Sequence, residues 1–367
     1  MFEASLFGTA FSRRDFMKAI TAVTAVMGLP AAMAPKVAEA AESDNRPPVI
    51  WLHFQECTGC TTSLLRAGHP DIAKLILEII SLEYHETLMP GSGVQAEKAL
   101  HDAIEKYSGK YILVCEGAVP IDQDGIYCKI GGVTAFDSLK NAAENAFAVI
   151  CLGTCASLGG VQAAFPNPTT AVSCASLVHN KPLVLLPGCP PNPYNLPATI
   201  LYFLTFNKLP DLDGKGRPLF AYGRKLHDHC ERRPHFDAGR FAKAYGDLET
   251  HGEGYCMYEL GCKGPDTYAN CSTLRFNDGV AWPVSIGHPC VGCTENHIFN
   301  TTIAQKLQII DSAPPAWYPP SKPAAQGKPT DVITAATVGA IAGAAIGYAA
   351  GKGSALPKNK EPGNEKS

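Results

Sequence analysis

The sequence has no excess of charge of either sign. Its 367 residues include 31 Lys and Arg against 34 Asp and Glu, a formal net charge of -3. Because proteins that bind nucleic acid present clustered basic side chains to the phosphates, this balance argues against a nucleic-acid partner. The chain also lacks an internal repeat and any motif that pairs a nucleophile with a base. A repeat architecture and nucleophilic catalysis by this chain are therefore not expected.

Cysteine, by contrast, is abundant, with 14 residues in the chain. In a secreted protein such a count usually indicates a disulfide scaffold. Here ten of the cysteines and one histidine fall into short motifs, and eleven soft ligands divide into sets of four, four and three. That is the inventory of two 4Fe-4S cubanes and one three-ligand cluster, which predicts an electron carrier. The eleven residues are Cys57, Cys60, Cys155, Cys189, His227, Cys230, Cys256, Cys262, Cys271, Cys290 and Cys293.

The N-terminus carries a pattern typical of protein export. Residues 12–18 read SRRDFMK, which matches the twin-arginine signal S-R-R-x-F-x-K, and an uncharged stretch follows over 19–35. Ala38 and Ala40 then offer a small-x-small cleavage site, so residues 1–40 are predicted to be a removable signal peptide. The twin-arginine route carries folded proteins, and cysteines that are already ligated to iron are not available for disulfides.

The C-terminus carries a second membrane signal. Residues 313–330 contain six prolines and form a predicted linker, and 332–351 contain no charged residue. At about 1.5 Å per residue this stretch is long enough for one bilayer core, so we predict a transmembrane anchor over 331–351, although a low-complexity linker is the competing interpretation. Four lysines follow in the tail, 352–367, which the positive-inside rule places in the cytoplasm. Both termini thus predict a protein on the periplasmic side of the membrane.

Between these ends the chain has two parts of different character. Short apolar runs at 49–54, 111–114, 146–152 and 183–186 alternate with helical patterns, which predicts a doubly wound parallel α/β domain of flavodoxin-like type over 48–212. From 218 to 312 Gly, Pro and charged residues dominate. Because such a segment buries little apolar surface, we expect metal clusters to hold it together as an irregular cysteine-rich domain.

Three of the cysteines follow predicted strands directly. Cys57, Cys155 and Cys189 each come after an apolar run. In open α/β sheets, sites form beyond the carboxyl ends of the strands, so these three are expected to meet at one edge. The pair Cys57 and Cys60 is by itself weak evidence for an iron-sulfur cluster, because zinc sites and thioredoxin-like motifs share the C-x-x-C spacing.

The order of the motifs is more specific than any one of them. CTGC, GTCAS and PGCPPNP are followed by HDHCERRPHFDAGRFA, GCKGPDTYANCST and WPVSIGHPCVGC. Over about residues 48–300 the chain resembles the small subunit of nickel-iron hydrogenases. With the export signal and the C-terminal anchor, it is similar to the membrane-anchored periplasmic uptake members of that family.

The resemblance implies a ligand set for each cluster. Cys57, Cys60, Cys155 and Cys189 would hold a proximal 4Fe-4S cluster next to the large subunit. A distal 4Fe-4S cluster would be held by His227, Cys230, Cys256 and Cys262, and a medial 3Fe-4S cluster by Cys271, Cys290 and Cys293, with Pro283 where a fourth thiolate is missing. His229 is the alternative to His227, and His288 is expected to hydrogen-bond near a cluster rather than to ligate it.

The resemblance also implies the reaction and the partners. The hydrogenase would oxidise H2, or catalyse the reverse reaction, at a nickel-iron site in a separate large subunit. During H2 oxidation this chain would relay the electrons from the proximal to the distal cluster. The acceptor would be a membrane quinone-linked subunit, or a soluble cytochrome or ferredoxin-like subunit. Oxygen-tolerant relatives carry two further cysteines near the proximal cluster, where this chain has Gly59 and Gly160. A standard, oxygen-sensitive enzyme is therefore expected.

Other interpretations account for less of the sequence. A quinone-reductase subunit of respiratory complex I shares the PGCPP region but lacks the export signal and the cysteine-rich second half. A zinc-binding module would use sets of four cysteines, or of two cysteines and two histidines, into which eleven ligands do not divide. A hydrogen-sensing hydrogenase would need neither export nor an anchor. The four remaining cysteines are predicted to be small buried hydrophobic side chains; they are Cys115, Cys128, Cys151 and Cys174.

Overall fold

The structure is a computed structural model, and it describes residues 13–42, 46–68 and 70–295. The predicted linker (313–330), anchor (331–351) and tail (352–367) lie outside these residues. Within the described part of the chain, no helix has both the length and the apolar character needed to cross a membrane.

The described residues contain nine strands and twelve α-helices, in addition to four short 3-10 helices. The strands are β1 (Pro48–His53), β2 (Ser81–His85), β3 (Ile112–Glu116), β4 (Ala118–Pro120), β5 (Lys129–Ile130), β6 (Val133–Thr134), β7 (Ala148–Leu152), β8 (Ala171–Ser173) and β9 (Leu183–Leu186). The helices are α1 (Arg13–Val26), α2 (Ala34–Ala41), α3 (Gly59–Leu64), α4 (Ile72–Lys74, continued by a π-helical turn, Leu75–Ile79), α5 (Val94–Lys106), α6 (Ala135–Asn145), α7 (Gly153–Leu158), α8 (Cys174–Leu177), α9 (Asn195–Phe206), α10 (Leu219–Tyr222), α11 (Arg233–Asp237) and α12 (Cys271–Leu274).

A five-stranded sheet forms the centre of the first domain. Its order is β2-β1-β3-β7-β9, and every neighbouring pair is parallel. Taken in chain order, these five strands are arranged 2-1-3-4-5, the order of flavodoxin-like sheets. β3 and β7 are buried along their whole length, which is why their sequences read as continuous apolar runs rather than as alternation. The predicted α/β class and parallel sheet are confirmed.

Helices cover the sheet on both faces. α5 packs Leu100, Ala103 and Ile104 on one face, at the three- and four-residue spacing of a helical stripe. α6 lies in the same layer and begins where Thr134 Oγ1 accepts the Asp137 backbone N–H at 3.1 Å, a helix cap. α9 packs in the other apolar cluster, together with α1 and α2.

The second half has little regular structure. Between residues 218 and 295 the described helices are at most five residues long, and the apolar side chains form two small clusters rather than one core. Leu226, Met257, Leu260 and Trp282 are at the centre of the larger cluster, and three of the predicted ligand cysteines pack around it. An irregular, cysteine-rich segment is what the composition predicts.

Candidate metal centres

The first candidate site lies where the carboxyl ends of three parallel strands meet. Cys57 and Cys60 follow β1, Cys155 lies in the first turn after β7, and Cys189 follows β9. All four line one cavity of about 110 Å³. Cys57 and Cys189 are exposed, while the other two are partly buried. The three loops meet because the ends of parallel strands share one sheet edge.

Glu116, which the sequence analysis missed, fixes the loop that carries the first two cysteines. It ends β3 and is buried, and its Oε1 accepts the backbone N–H groups of Cys60 at 3.1 Å and Thr61 at 3.0 Å. Its Oε2 accepts the Thr61 hydroxyl at 2.7 Å and Trp51 Nε1 at 3.2 Å. Four donors on one carboxylate hold the start of α3. An acidic residue that ends an apolar run was the signal that could have revealed it.

Burial makes the thiols of this site poor thiolates on their own. It raises the pKa of Cys60 far above the ordinary range, and the negative charge of Glu116 and of the three other thiols raises it further. Burial and then Cys189 raise the pKa of Cys155 to about 11. Burial thus favours the protonated form of Cys60, Cys155 and Cys189 in the absence of a metal, and cations bound among these thiols would displace the protons.

Two residues at the start of α7 contact the loops that carry the cysteines of this site. Gly153 has a φ of +87°, and a Cβ there would collide with Cys60 Sγ, so the position requires glycine. Thr154 exchanges hydrogen bonds with Gly188: its backbone N–H donates to the Gly188 carbonyl and its Oγ1 accepts the Gly188 N–H, both at 2.9 Å. The Thr154 hydroxyl also donates to the Cys293 carbonyl. Thr154 thus ties the first site to the second half of the chain.

The second candidate site contains the three remaining cysteines of the predicted medial set. Cys271, Cys290 and Cys293 line a cavity of about 300 Å³. Its other walls are mostly apolar, with Phe276, Ala281, Trp282, Pro283 and Ile286 among them. Burial raises the pKa of Cys271 to about 12. Burial also raises the pKa of Cys293, to about 11, although hydrogen bonds from backbone N–H groups offset part of this effect. Pro283, the residue that the resemblance puts in place of a fourth thiolate, lies in the wall of this cavity.

The third candidate site brings together one histidine and three cysteines. His227, Cys230, Cys256 and Cys262 line one small cavity with Met257, Tyr258 and Val284. The imidazole of His227 is 4% exposed, and its Nε2 has no hydrogen-bond partner. Burial, and then the charge of Arg233, lowers the pKa of His227 to about 4, so the ring is neutral at pH 7. A buried neutral imidazole without a partner among thiols is suited to ligate a metal.

The two alternative histidines lie elsewhere. His229 is exposed and its Nε2 lies 3.5 Å from Arg224 Nη1. His288 Nδ1 lies 2.8 Å from the Pro289 carbonyl oxygen, and His288 is absent from the walls of all three cavities. Neither ring therefore competes with His227 at the third site.

The three sites form a continuous series. Cys189 lines the cavities of both the first and the second site, and the hydroxyl of Thr154, which lines the first, donates to the Cys293 carbonyl. The Cys290 backbone N–H donates to Cys262 Sγ at 3.3 Å, which links the second site to the third. Leu226 lines the cavities of both of these sites. The second site is thus placed between the other two, with direct contacts on each side.

A buried acidic group lies beside the first site. His53 Nδ1 is 3.4 Å from Glu56 Oε1 and 3.9 Å from Glu116 Oε2, and neither ring nitrogen of His53 has a hydrogen-bond partner. Burial, and then Glu116, raises the pKa of Glu56. No role was predicted for His53 from the sequence, and its pairing with two carboxylates next to Cys57 was not foreseen.

The four cysteines without a predicted ligand role lie in or against the sheet core. Cys115 and Cys151 face each other across β3 and β7 and are fully buried. Cys174 is buried too and its thiol donates to the Gly117 carbonyl at 3.3 Å. Cys128 is half-buried against the same apolar cluster.

In the comparison with known proteins, a different family model matches each half of the chain. The family model for the C-terminal part of the NiFe/NiFeSe hydrogenase small subunit matches residues 222–304. The model for the NADH ubiquinone oxidoreductase, 20 Kd subunit, matches residues 57–203. The first match covers the second and third candidate sites, and the second covers the first site.

Two curated relatives match across both halves. The Hydrogenase-2 small chain of Escherichia coli is 51% identical over 342 residues, which covers 93% of this chain and 90% of the relative. The chain belongs to the small-subunit family of nickel-iron hydrogenases. The Quinone-reactive Ni/Fe-hydrogenase small chain of Wolinella succinogenes is 50% identical over 291 residues, 79% of this chain and 82% of that one.

Solved hydrogenase structures share the fold of this small subunit. The NiFeSe hydrogenase of Desulfomicrobium baculatum aligns with a TM-score of 0.67 and 35% identity, over 72% of this chain and 100% of that chain. The actinobacterial-type NiFe-hydrogenase of Ralstonia eutropha aligns with a TM-score of 0.65 and 25% identity, over 81% and 91%. The resemblance seen in the motifs is thereby confirmed, and the two non-hydrogenase interpretations lose their support.

Proposed function

We propose that this hydrogenase small subunit holds a proximal 4Fe-4S, a medial 3Fe-4S and a distal 4Fe-4S cluster in its three candidate sites, in that order. The chain is the electron-transfer subunit of a nickel-iron hydrogenase, and the active site of that enzyme lies in its large subunit. When bound, clusters of this kind supply one-electron oxidation and reduction. The order is supported by the position of Cys189 in the walls of both the first and the second cavity, and by the hydrogen bonds from Thr154 to Cys293 and from Cys290 to Cys262.

The first site fits a cubane through its four thiols. They approach one cavity from three separate loops, as four ligands at tetrahedral spread require. Cys57 and Cys60 stay in place because Glu116 holds the start of α3, and Cys189 because the Gly188 backbone bonds to Thr154. Because burial raises the pKa of Cys60, Cys155 and Cys189, these thiols would release their protons when a cation binds, which is the expected behaviour of a metal site.

The other two sites differ in the ligands they offer. Three thiols and an apolar wall that contains Pro283 leave the medial site one ligand short of a cubane. At the distal site the unpartnered His227 ring completes a set of four. A neutral imidazole in place of a thiolate removes one negative charge, which favours the reduced state and suits the site from which electrons leave.

We expect the large subunit to dock next to the proximal site. Cys57 and Cys189 are exposed, so this end of the series is open. β4 pairs through Ala118 with Gln55, two residues before Cys57. The segment after β4 exposes large apolar side chains, among them Ile121, Ile126 and Tyr127, each 40% exposed or more. Exposed apolar side chains close together are typical of subunit interfaces.

The location that we propose for the enzyme rests on the two termini. The twin-arginine motif and the Ala-x-Ala site support export, and the uncharged stretch over 332–351 supports a single C-terminal anchor with its lysine-rich tail in the cytoplasm. A quinone-linked membrane subunit is then the proposed acceptor. The name of the Wolinella succinogenes relative, quinone-reactive, favours this acceptor over a soluble cytochrome or ferredoxin-like subunit.

Replacing one proximal ligand tests the assignment. Cys189→Ser in the heterodimer is expected to abolish dye reduction by H2 and to remove the proximal cluster signal. Cys128→Ser, at a half-buried cysteine outside the three sites, is the matched control and is expected to retain both. Full turnover of Cys189→Ser with an unchanged cluster spectrum would contradict the proposal.

Localisation is tested separately. Replacing Arg13 and Arg14 together by Lys is expected to leave an active enzyme in the cytoplasm, measured by fractionation. Deleting residues 331–367 is expected to release a soluble, dye-active enzyme that no longer reduces membrane quinone. Unaltered periplasmic activity in the first variant, or tight membrane binding in the second, would contradict export or anchoring.

A further inference from the structure

The predicted signal peptide is packed into the body of the protein. α1 and α2 cover α9, and their apolar side chains belong to the same cluster as the sheet residues beneath. Val23 and Val37 are fully buried, and Ile20 and Met27 are at most 4% exposed. A leader that merely trailed from the folded domain would leave these side chains in water. The leader is therefore a layer of the precursor fold.

The surface beneath the leader is suited to this occupant. α9 (Asn195–Phe206) has no charged residue, and a helix that is apolar on all sides requires a cover on each of them. The sheet covers one side and the leader helices another. Lys36 of α2 places its Nζ 5.1 Å from the ring centroid of Phe206 at the end of α9.

A second contact lies at the twin-arginine motif itself. Phe16, the aromatic residue of that motif, packs against the core cluster, and Lys74 Nζ lies 4.0 Å from its ring centroid. Lys74 is only 6% exposed and its Nζ also lies 3.6 Å from Glu78 Oε2. The motif is helical from Arg13 onward, so this part of it is not an extended segment.

The predicted cleavage site is closed in the same way. The bond after Ala40 lies inside α2, whose bounds are Ala34–Ala41. Ala38 is 8% exposed and Ala41 is 3% exposed. Enzymes that read a peptide as an added strand need an extended segment with free backbone groups, which a packed helix does not offer. Recognition of the cleavage site thus requires local opening of the leader.

We propose that the face formed by α9 and the α4 region is a docking surface for this chain's own leader, and that docking closes the cleavage site until the leader is released. The proposal rests on the export function proposed above, because it takes residues 1–40 to be a removable signal. It adds that the leader of the folded precursor exists in a closed and an open state.

Two leader variants with the same added charge test the closed state. Val23→Asp places a carboxylate at a fully buried position, and Ala22→Asp places one at the neighbouring exposed position. Full-length, cluster-loaded precursor is purified from cells without the twin-arginine translocase. Trypsin cleavage after Lys36 and hydrogen exchange over residues 13–42 are then measured, with exchange in β1, β3 and β7 as the control for folding of the body.

Val23→Asp is expected to raise the rate of cleavage after Lys36 by about tenfold or more, because cleavage follows the population of the open form. Ala22→Asp is expected to match the unaltered precursor. Rapid exchange over 13–42 in the unaltered precursor, or equal cleavage of the two variants with an intact body, would overturn the proposal. A different outcome would separate the two proposals. If the leader is protected from exchange but fractionation shows that the protein is not exported, the export function is wrong and the docking of residues 13–42 remains.

Discussion

At the scale of single residues, the candidate sites depend on a few side chains that no spacing rule identifies. His227 and His229 are two positions apart, yet only His227 enters the third cavity, because the 3-10 turn between Leu226 and His229 directs one ring inward and leaves the other exposed. The sequence favoured His227 through the resemblance and because His229, adjacent to Cys230, would project in a different direction. The buried, unpartnered Nε2 supplies the physical reason for this preference.

A pair of histidine variants tests the distal site. His227→Gln is expected to perturb the signal of one 4Fe-4S cluster and to slow electron delivery to the acceptor, since the fourth ligand is lost. His229→Gln is the matched control, with the same chemical change at an exposed ring, and is expected to behave as the unaltered enzyme. The measurement is electron paramagnetic resonance of the reduced heterodimer. Loss of the cluster signal in His229→Gln alone would reverse the assignment.

The close packing around Gly160 explains why the proximal site of this chain is expected to have only four thiolates. Its φ is +61°, and a Cβ there would lie 2.6 Å from Cys155 Sγ and 2.7 Å from Cys155 Cα. At Gly59 a Cβ would lie 3.0 Å from Cys57 Sγ. A further cysteine at Gly160 therefore requires the backbone to shift, and one at Gly59 requires the Cys57 side chain to move, so the loops of this chain are built for four thiolates.

A glycine comparison tests that reason. Gly160→Ala is expected to lower the proximal cluster content, because the added methyl group meets Cys155. Gly239→Ala is the control, since Gly239 has a φ of +66° but open space around its Cβ, so only the backbone cost of about 1–2 kcal/mol applies. Iron content and thermal unfolding are the measurements. Equal behaviour of the two variants would contradict the clash.

At the scale of elements, a buried ion pair joins Glu295, in the second half, to the segment between the two halves. Arg217 Nη1 lies 2.7 Å from Glu295 Oε1, and both side chains are at most 4% exposed. Arg217 Nε also bonds to Asp213 Oδ2 at 2.7 Å, and the Tyr268 N–H donates to Glu295. These contacts fix the chain two residues after Cys293, a medial ligand.

The pair predicts a pH dependence of stability. Burial alone would raise the pKa of Glu295, but hydrogen bonds from Arg217 and Lys215 lower it below its ordinary value. A lowered pKa in the folded state contributes stability above the unfolded pKa, and that contribution is lost as the pH falls through the folded value. Glu295→Gln is expected to destabilise the protein by about 3 kcal/mol at pH 7, and by progressively less toward pH 3.

Thermal unfolding between pH 7 and pH 3 measures this difference. Asp102→Asn, which removes the exposed Lys98–Asp102 pair on α5, is the control and is expected to change little at either pH. A Glu295→Gln deficit that stays constant over this pH range would show that the carboxylate charge is not its cause.

The elements also show how far the sequence could predict the structure. The parallel strands were visible because β3 and β7 are buried on both faces and read as apolar runs, and the strand ends placed Cys57, Cys155 and Cys189. The acidic end of the β3 run could have revealed Glu116, but its hydrogen bonds could not be predicted, because the donors come from α3 and β1 and meet only in the fold. Packing of the leader on α9 was missed for a similar reason, since a signal peptide and a covering helix have the same apolar pattern.

At the scale of the whole molecule, the three sites form a series that begins at an exposed sheet edge and continues into the irregular half. The proximal site is expected to lack the extra thiolates that stabilise a more oxidised cluster. We therefore predict an oxygen-sensitive enzyme that air inactivates and H2 reactivates slowly. Hydrogen oxidation on an electrode, with oxygen admitted during turnover, is the measurement. A sustained current under air with fast recovery would contradict the role given to Gly59 and Gly160.

The cluster content of the purified heterodimer tests the central claim most directly. Mössbauer and electron paramagnetic resonance spectra of the small subunit are expected to show two four-iron clusters and one three-iron cluster, about eleven iron atoms in all, with no zinc. The three-iron signal is expected to disappear in Cys271→Ser while the proximal signal remains. Three four-iron clusters, or a zinc site in place of any cluster, would contradict the assignment of the three sites.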